Sequence, residues 1–431
     1  MTGVSQRICS DPLKCTLLEN NLLSKSPAEA SGVAVRPESE LLLRCARARI
    51  DSETVERFRG LVCQDIDWAY LMGTALRHKI LPLVYQSLRS VCPEVVPSAT
   101  LDQLRDYFHC NARRNLFLTG ELIKLLNLFS DQGILAVPFK GPVLAASVYG
   151  NLSLREFLDL DILVRKWDVP RAKDLLISNG YRPYMQMTCA QETTRLRSGC
   201  EFVFVSNNGH VIVDLHWEFL ERGLSFSFDL EGLWQRLEWV SLAGTKVLSL
   251  PPVDLLLLLC IHGAKHHWVR LEWICDVAEL IRAHPEIDWG QVMEQAGRLG
   301  AERILLLGLL LTSDLLGVDL PQEIVRRMRT NPMAQSLAEH VRRELFSETE
   351  ICLWLADSWA FFLRMRERWR DKVWYFLYFM HWRLTPTSED RALLPLPTFL
   401  FFLYYFLRPI RLVRVYGVSP LLRFLERLRS L

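Results

Sequence analysis

No Cys-x-x-Cys pair occurs in the 431-residue chain, and its eleven cysteines are scattered and odd in number. That pattern excludes a four-cysteine zinc site and argues against a disulfide framework, so free thiols are expected. No single sign of charge dominates either. The 51 Lys and Arg balance 49 Asp and Glu to a net +2, so no strong nucleic-acid signal exists. No apolar run reaches the roughly 20 residues that span a bilayer. The longest, Leu255–Ile261 and Ala392–Leu407, are short or broken by Pro395 and Pro397. Met1 to Ala30 carries Arg7, Asp11, Lys14, Glu19 and Lys25 and lacks the apolar core of a secretory signal. A cytoplasmic location is the expectation. Proline and glycine, at 20 and 21, are too few for a fibrous or low-complexity chain.

What the chain does contain changes period along its length. Residues 1–38 are polar and read as a loose tail. From 39 to 132 the apolar spacing is helical: Leu101, Leu104, Phe108 and Ala112 recur at threes and fours, as do Leu118, Leu122, Leu125 and Phe129. At Gly133 the pattern switches. Ile134–Val137 reads as a strand, Pro142–Tyr149 as a short helix, Asp159–Val164 as a strand and Val169–Asn179 as a helix stopped by Gly180. Phe202–Val205 and Val211–Leu215 flank Asn207-Asn208-Gly209, a hairpin turn signal. Pro251-Pro252 then opens a helical region over 251–350, and 351–431 is helical and rich in aromatics and arginine. The fold class expected is α+β, a small mixed sheet over 133–250 between two helical regions.

The sharpest chemical signal is Arg155-Glu156-Phe157-Leu158-Asp159-Leu160-Asp161. Asp159 and Asp161 share one face of the expected strand, about 7 Å apart. Ionised in a dry site they repel, and a divalent cation relieves that repulsion. Asp214 lies among apolar neighbours in Val211–Leu215, where a lone acid is disfavoured, and shares its face with His216. Upstream, Phe139-Lys140-Gly141-Pro142 joins a strand to a helix and offers a lysine and backbone N–H groups to a phosphate. An Asp-x-Asp by itself equally suits a solvated strand face. Lys140-Gly141 before it and Asp214 after it carry the reading toward metal-assisted phosphoryl or nucleotidyl transfer.

This arrangement resembles the DNA polymerase β-like nucleotidyltransferase superfamily and, more narrowly, a bacterial family of uncharacterised nucleotidyltransferases. The matching residues are Lys140-Gly141, Arg155, Asp159, Asp161, Leu163-Val164, Asp214 and His216-Trp217. The likeness continues through Leu259–Trp268 and Leu271–Asp276. The resemblance implies Asp159, Asp161 and Asp214 as catalytic, metal-binding acids, with Mg²⁺, two ions in all. It implies a nucleoside triphosphate as substrate and nucleotide transfer to an unidentified hydroxyl acceptor. The superfamily's usual Gly-Ser is Lys140-Gly141 here, and Pro142 removes one N–H.

Lys140, Gly141, Arg155, Lys265 and His262 are the expected nucleotide contacts. His262, Lys265, His266 and His267 sit on one helix, with His262 and His266 a turn apart. Two rival readings stand beside this one. The first is a catalytically weak nucleotide-binding or regulatory protein on the same fold. The second is a helical metal phosphohydrolase using His262, His266 and Asp276. Finally, Trp354 to Trp382 interleaves aromatics with Arg364, Arg366, Arg368 and Arg370. Arg stems covering aromatic rings explain this run, and Phe399–Leu407 followed by Arg408, Arg411 and Arg414 adds peripheral membrane contact as an alternative.

Overall fold

A computed structural model describes residues 36–50, 52–221, 226, 228–347, 358–385 and 398–416. The tail expected over 1–38 lies outside them except for its last three residues, where Pro37 opens α1. Among the described residues five helices lead in: α1 (Pro37–Cys45), α2 (Ser52–Val62), α3 (Trp68–Arg77), α4 (Leu81–Val91) and α5 (Ser98–Asp131). At 34 residues α5 is about 50 Å long. Its buried face runs through Leu104, Tyr107, Asn111, Leu118, Leu122, Leu125 and Phe129, the spacing of threes and fours legible in the sequence.

The sheet follows: β1 (Ala136–Pro138), β2 (Asp159–Val164), β3 (Tyr181–Pro183), β4 (Glu201–Ser206) and β5 (Ile212–His216), in the order β1-β2-β5-β4-β3. The central pair β2 and β5 is parallel, and every other pairing is antiparallel. The fold is therefore α+β with a small mixed sheet and helical flanks. Three short helices sit among the strands: α6 (Gly141–Ser147), α7 (Val169–Ser178) and α8 (Cys189–Ser198). Helix α9 (Leu230–Arg236) precedes a separate hairpin of β6 (Glu238–Leu242) and β7 (Thr245–Ser249). Periodicity missed that hairpin because its turn is Ala243-Gly244. Both residues adopt positive φ, 50° and 84°, the conformation a two-residue hairpin turn demands.

Two buried asparagines on α5 aim the segment entering β2. Asn111 donates to Ser153 O at 2.9 Å, and Asn115 donates to Leu152 O and Arg155 O, both at 2.7 Å. A further α5 side chain, Tyr107, donates its hydroxyl to Glu156 Oε2 at 2.8 Å. Glu156 is buried and its second oxygen has no hydrogen-bond partner. Burial pushes its pKa up to about 7.

Four helices follow and pack on one another: α10 (Pro252–Lys265), α11 (Leu271–Ala283), α12 (Trp289–Leu299) and α13 (Glu302–Leu316). They pack around Trp268, which is fully buried. The chain reverses there through His267 and Trp268, at φ 59° and 58°, and Trp268 N donates back to Gly263 O at 2.8 Å. The indole lies so close to α10 that a Cβ on Gly263 would sit 2.5 Å from the ring. From α13, Gly308 meets the same ring and Cys260 Sγ. Glycine is thus required at both helix positions by close approach, which outweighs its unfavourable helix propensity.

Helices α14 (Gln322–Thr330), α15 (Pro332–Leu345), α16 (Ser358–Met365), α17 (Trp369–Leu384) and α18 (Tyr404–Tyr416) complete the described chain. The aromatic–arginine run divides. Arg366 is fully buried, 4.2 Å from the Tyr375 ring centroid, whereas Trp369, Trp374 and Phe406 are exposed. The apolar run 392–407 falls partly outside the described residues. Among those residues, no helix is long and apolar enough to cross a membrane. Among the described residues seven cysteines are free thiols, and Cys110 departs from the expectation by being disulfide-bonded.

Two stability predictions follow from this packing. Gly263→Ala forces a methyl against a ring that has no room to withdraw, so it should destabilise by about 1–3 kcal/mol in urea unfolding. Glu156 has a folded-state pKa above its unfolded value, so its contribution to stability falls as pH rises from about 4.5 through about 7. Glu156→Gln should therefore raise Tm at pH 8, with a gain of at most about 3 kcal/mol, and leave it unchanged at pH 4.

Candidate functional site

The acids meet at the centre of the sheet because its only parallel pair sets them side by side. In the β2–β5 register Asp161 faces Asp214 directly, and Asp159 faces Ile212. Leu160, Ile162, Val213 and Leu215 point to the opposite face and are buried, which holds the acid face in place. Asp161 Oδ1 accepts a hydrogen bond from Lys140 Nζ at 3.1 Å. It also lies 3.1 Å from His216 Nε2. On the other side of that ring, His216 Nδ1 is 3.4 Å from Glu201 Oε2, close enough for charge attraction but out of line for a hydrogen bond.

Each charge follows from its neighbours. Burial works to raise the Asp161 pKa, but Lys140 and His216 outweigh it and hold the carboxyl well below the usual range. Burial, then Asp159, Asp161 and Glu201, push Asp214 well above it. Asp159 is raised by burial and by Asp161. Lys140 is half-buried, which works against its charge, yet the three aspartates raise its pKa and keep its ammonium protonated. Asp214 Oδ1 is enclosed and has no hydrogen-bond partner.

Asp161, Asp214 and His216 offer ligand atoms that all lie within 4.8 Å of one another. The three aspartates do not form such a set among the described residues. Residues two apart on a strand are separated by about 7 Å, whereas partners across parallel strands are about 4.8 Å apart. Asp159 therefore stands beside the closest cluster, and His216 takes the place that sequence grouping assigned to it. A second set joins Cys200, Glu201 and His216. Burial and the charge of Glu201 push the Cys200 thiol up to about 12, so it stays protonated and ligates weakly.

The other expected site residues divide. Gly141, with φ 52°, opens α6, and a Cβ there would approach Asp159 O to 3.3 Å. The turn thus needs glycine to lie against β2, which brings Lys140 over Asp161. Arg155 is engaged elsewhere. Its guanidinium grips Asp276 through two bonds of 2.8 and 2.9 Å, and Tyr149 donates to the same carboxylate at 2.7 Å. This buried triad clamps α11 to the segments flanking the Lys140-Gly141 turn, and it removes Asp276 from the phosphohydrolase reading.

From α10, His262 lies within electrostatic reach of Lys140 and Arg155. Burial, then those cations and His266, hold it neutral. Lys265 reaches Glu201 and Cys200 with its charge. His262, His266 and Trp273 form a ring cluster, with His266 stacked on Trp273 at 5.1 Å.

Two residues escaped the sequence reading. Glu201 faces His216 across the β4–β5 hairpin, a register that counting back from Asn207-Asn208-Gly209 would have revealed. Lys79, with φ 54°, lies beyond α3 and opposes the rise of Asp159 and Glu156 with its charge. No sequence signal marks it, because a loop far upstream reaches the sheet only in three dimensions.

The family model for uncharacterised nucleotidyltransferases matches residues 64–317, well over half the chain. The chain belongs to this family. No curated protein and no solved structure matches it. The matched region contains the whole sheet and α10 to α13. A divalent cation, as nucleotidyltransferases use, fits the residues present: an enclosed, unpartnered Asp214 oxygen faces a second carboxylate and an imidazole.

The raised Asp214 pKa makes the metal-free site a source of instability that grows as pH rises above the unfolded value of about 3.9. Asp214→Asn should therefore melt higher than wild type at pH 8 in a chelator, with the two converging near pH 3.5. Thermal melts across that range check it.

Proposed function

We propose that the protein transfers a nucleoside monophosphate from a nucleoside triphosphate to a hydroxyl acceptor and releases pyrophosphate. The observation that carries this reading is the direct pairing of Asp161 with Asp214 on parallel strands, under Lys140, in a chain of this family. When bound, divalent cations, Mg²⁺ in the simplest case, neutralise phosphate oxygens and polarise the reacting phosphorus. Asp159 and Asp161 would hold the triphosphate-bearing ion, and Asp161 and Asp214 the second.

Asp214, whose Oδ1 is enclosed and unpartnered opposite Asp161, is placed to draw the proton from the acceptor hydroxyl. The acceptor oxygen then bonds the α-phosphorus as the bond to pyrophosphate breaks. Lys140 is released from Asp161 to meet the phosphates, and Gly141 lets the backbone approach them. Lys265 and His262, on the neighbouring helix face, supply a further cation and a neutral hydrogen-bonding ring. Arg155 serves this site by holding Asp276 and thereby seating α11.

The test is pyrophosphate release from labelled nucleoside triphosphates with a divalent cation and cell extract as the acceptor source. Asp161→Asn preserves shape and removes one charge, so release should fall at least about a hundredfold with the fold intact by circular dichroism. Release of inorganic phosphate instead would point to a phosphohydrolase. Nucleotide binding without turnover would point to a regulatory protein.

A further inference from the structure

His216 is more deeply buried than any surface role requires, and both of its ring nitrogens face carboxylates. Nε2 lies 3.1 Å from Asp161 Oδ1 and inside the 4.8 Å set with Asp214. Nδ1 looks toward Glu201 Oε2 at 3.4 Å. A histidine that binds a metal through one nitrogen typically presents its other N–H to a carboxylate, which fixes the tautomer and ring angle. With its proton on Nδ1, toward Glu201, the ring turns the Nε2 lone pair into the space shared by Asp161 and Asp214.

A purely structural histidine explains less. One hydrogen bond to Asp161 would leave Nδ1 and Asp214 Oδ1 both enclosed and unpartnered. A cation bonded to Nε2 and to Asp214 pairs the orphaned oxygen, and by taking the Nε2 lone pair it leaves the ring proton on Nδ1, where an N–H rather than a lone pair faces the Glu201 carboxylate.

The geometry points to His216 as a metal ligand through Nε2, with Glu201 as its orienting partner, so that the Asp161–Asp214–His216 site takes a first-row transition ion in preference to Mg²⁺. The chemical reason is ligand type: imidazole nitrogen suits first-row transition ions, whereas Mg²⁺ favours oxygen. The inference deepens the proposed function, since it rests on these carboxylates binding a divalent cation at all.

Mn²⁺ added to the full chain, without nucleotide, provides the test. Wild type should bind Mn²⁺ at least about tenfold more tightly than Mg²⁺ by calorimetry. Pulsed electron paramagnetic resonance of the Mn²⁺ complex should show coupling to an imidazole nitrogen. His216→Ala should abolish that coupling and the preference. Glu201→Ala should keep the coupling and weaken Mn²⁺ binding by about 10–100-fold. Mn²⁺ bound without nitrogen coupling in wild type overturns the inference and leaves the carboxylate site standing. Coupling that survives His216→Ala also overturns it. If neither ion binds wild type, the proposed function itself fails. The wild-type spectrum decides the matter even if the alanine variant does not fold.

Discussion

Electrostatic repulsion between Asp161 and Asp214 is the constraint around which the rest of the site is organised. A parallel register places them opposite each other, and the apolar alternation of β2 and β5 prevents either strand from slipping to separate them. The strain is divided unequally. Asp161 keeps its charge because Lys140 and His216 converge on one of its oxygens, and Asp214 is left to bear the cost.

The surrounding helices are fitted to that pair. Helix α5 holds the entry to β2 through Asn111 and Asn115. On the far side, the bidentate Arg155–Asp276 contact, shared with Tyr149, joins the sheet to α11. A buried ion pair of this kind adds little net stability against an apolar alternative, but breaking it is costly, so it serves well as a locator. Trp268 locks α10 against α13 and so sets the face that carries His262 and Lys265. The side chains with chemistry to perform therefore sit on segments that other, purely structural contacts hold in place.

Arg155 shows how a motif can carry a residue for a reason other than the one its chemistry suggests. An arginine four residues before an Asp-x-Asp strand invites assignment to phosphate. Here its fork is filled by Asp276, more than a hundred residues away in sequence. His216 shows the converse: it stood in view two positions after Asp214, but only the fold sets it against Asp161 and Glu201.

Much of this was legible in the chain alone. The switch of apolar period at Gly133 and back at Pro251 announced an α+β fold. Asp159–Val164 was readable as a strand because Asp159 and Asp161 alternate with Leu160 and Ile162 before an apolar end, and Asp161 and Asp214 stood out as acids in apolar company. Such features are local, and side-chain spacing encodes them directly. The sheet order, the parallel pairing of β2 with β5, the substitution of His216 for Asp159 in the tightest cluster, the capture of Arg155 by Asp276 and the arrival of Lys79 were decided by tertiary structure. Each depends on which distant segment packs beside which. That choice is made by burial summed over the whole core, a quantity that no local window of sequence contains.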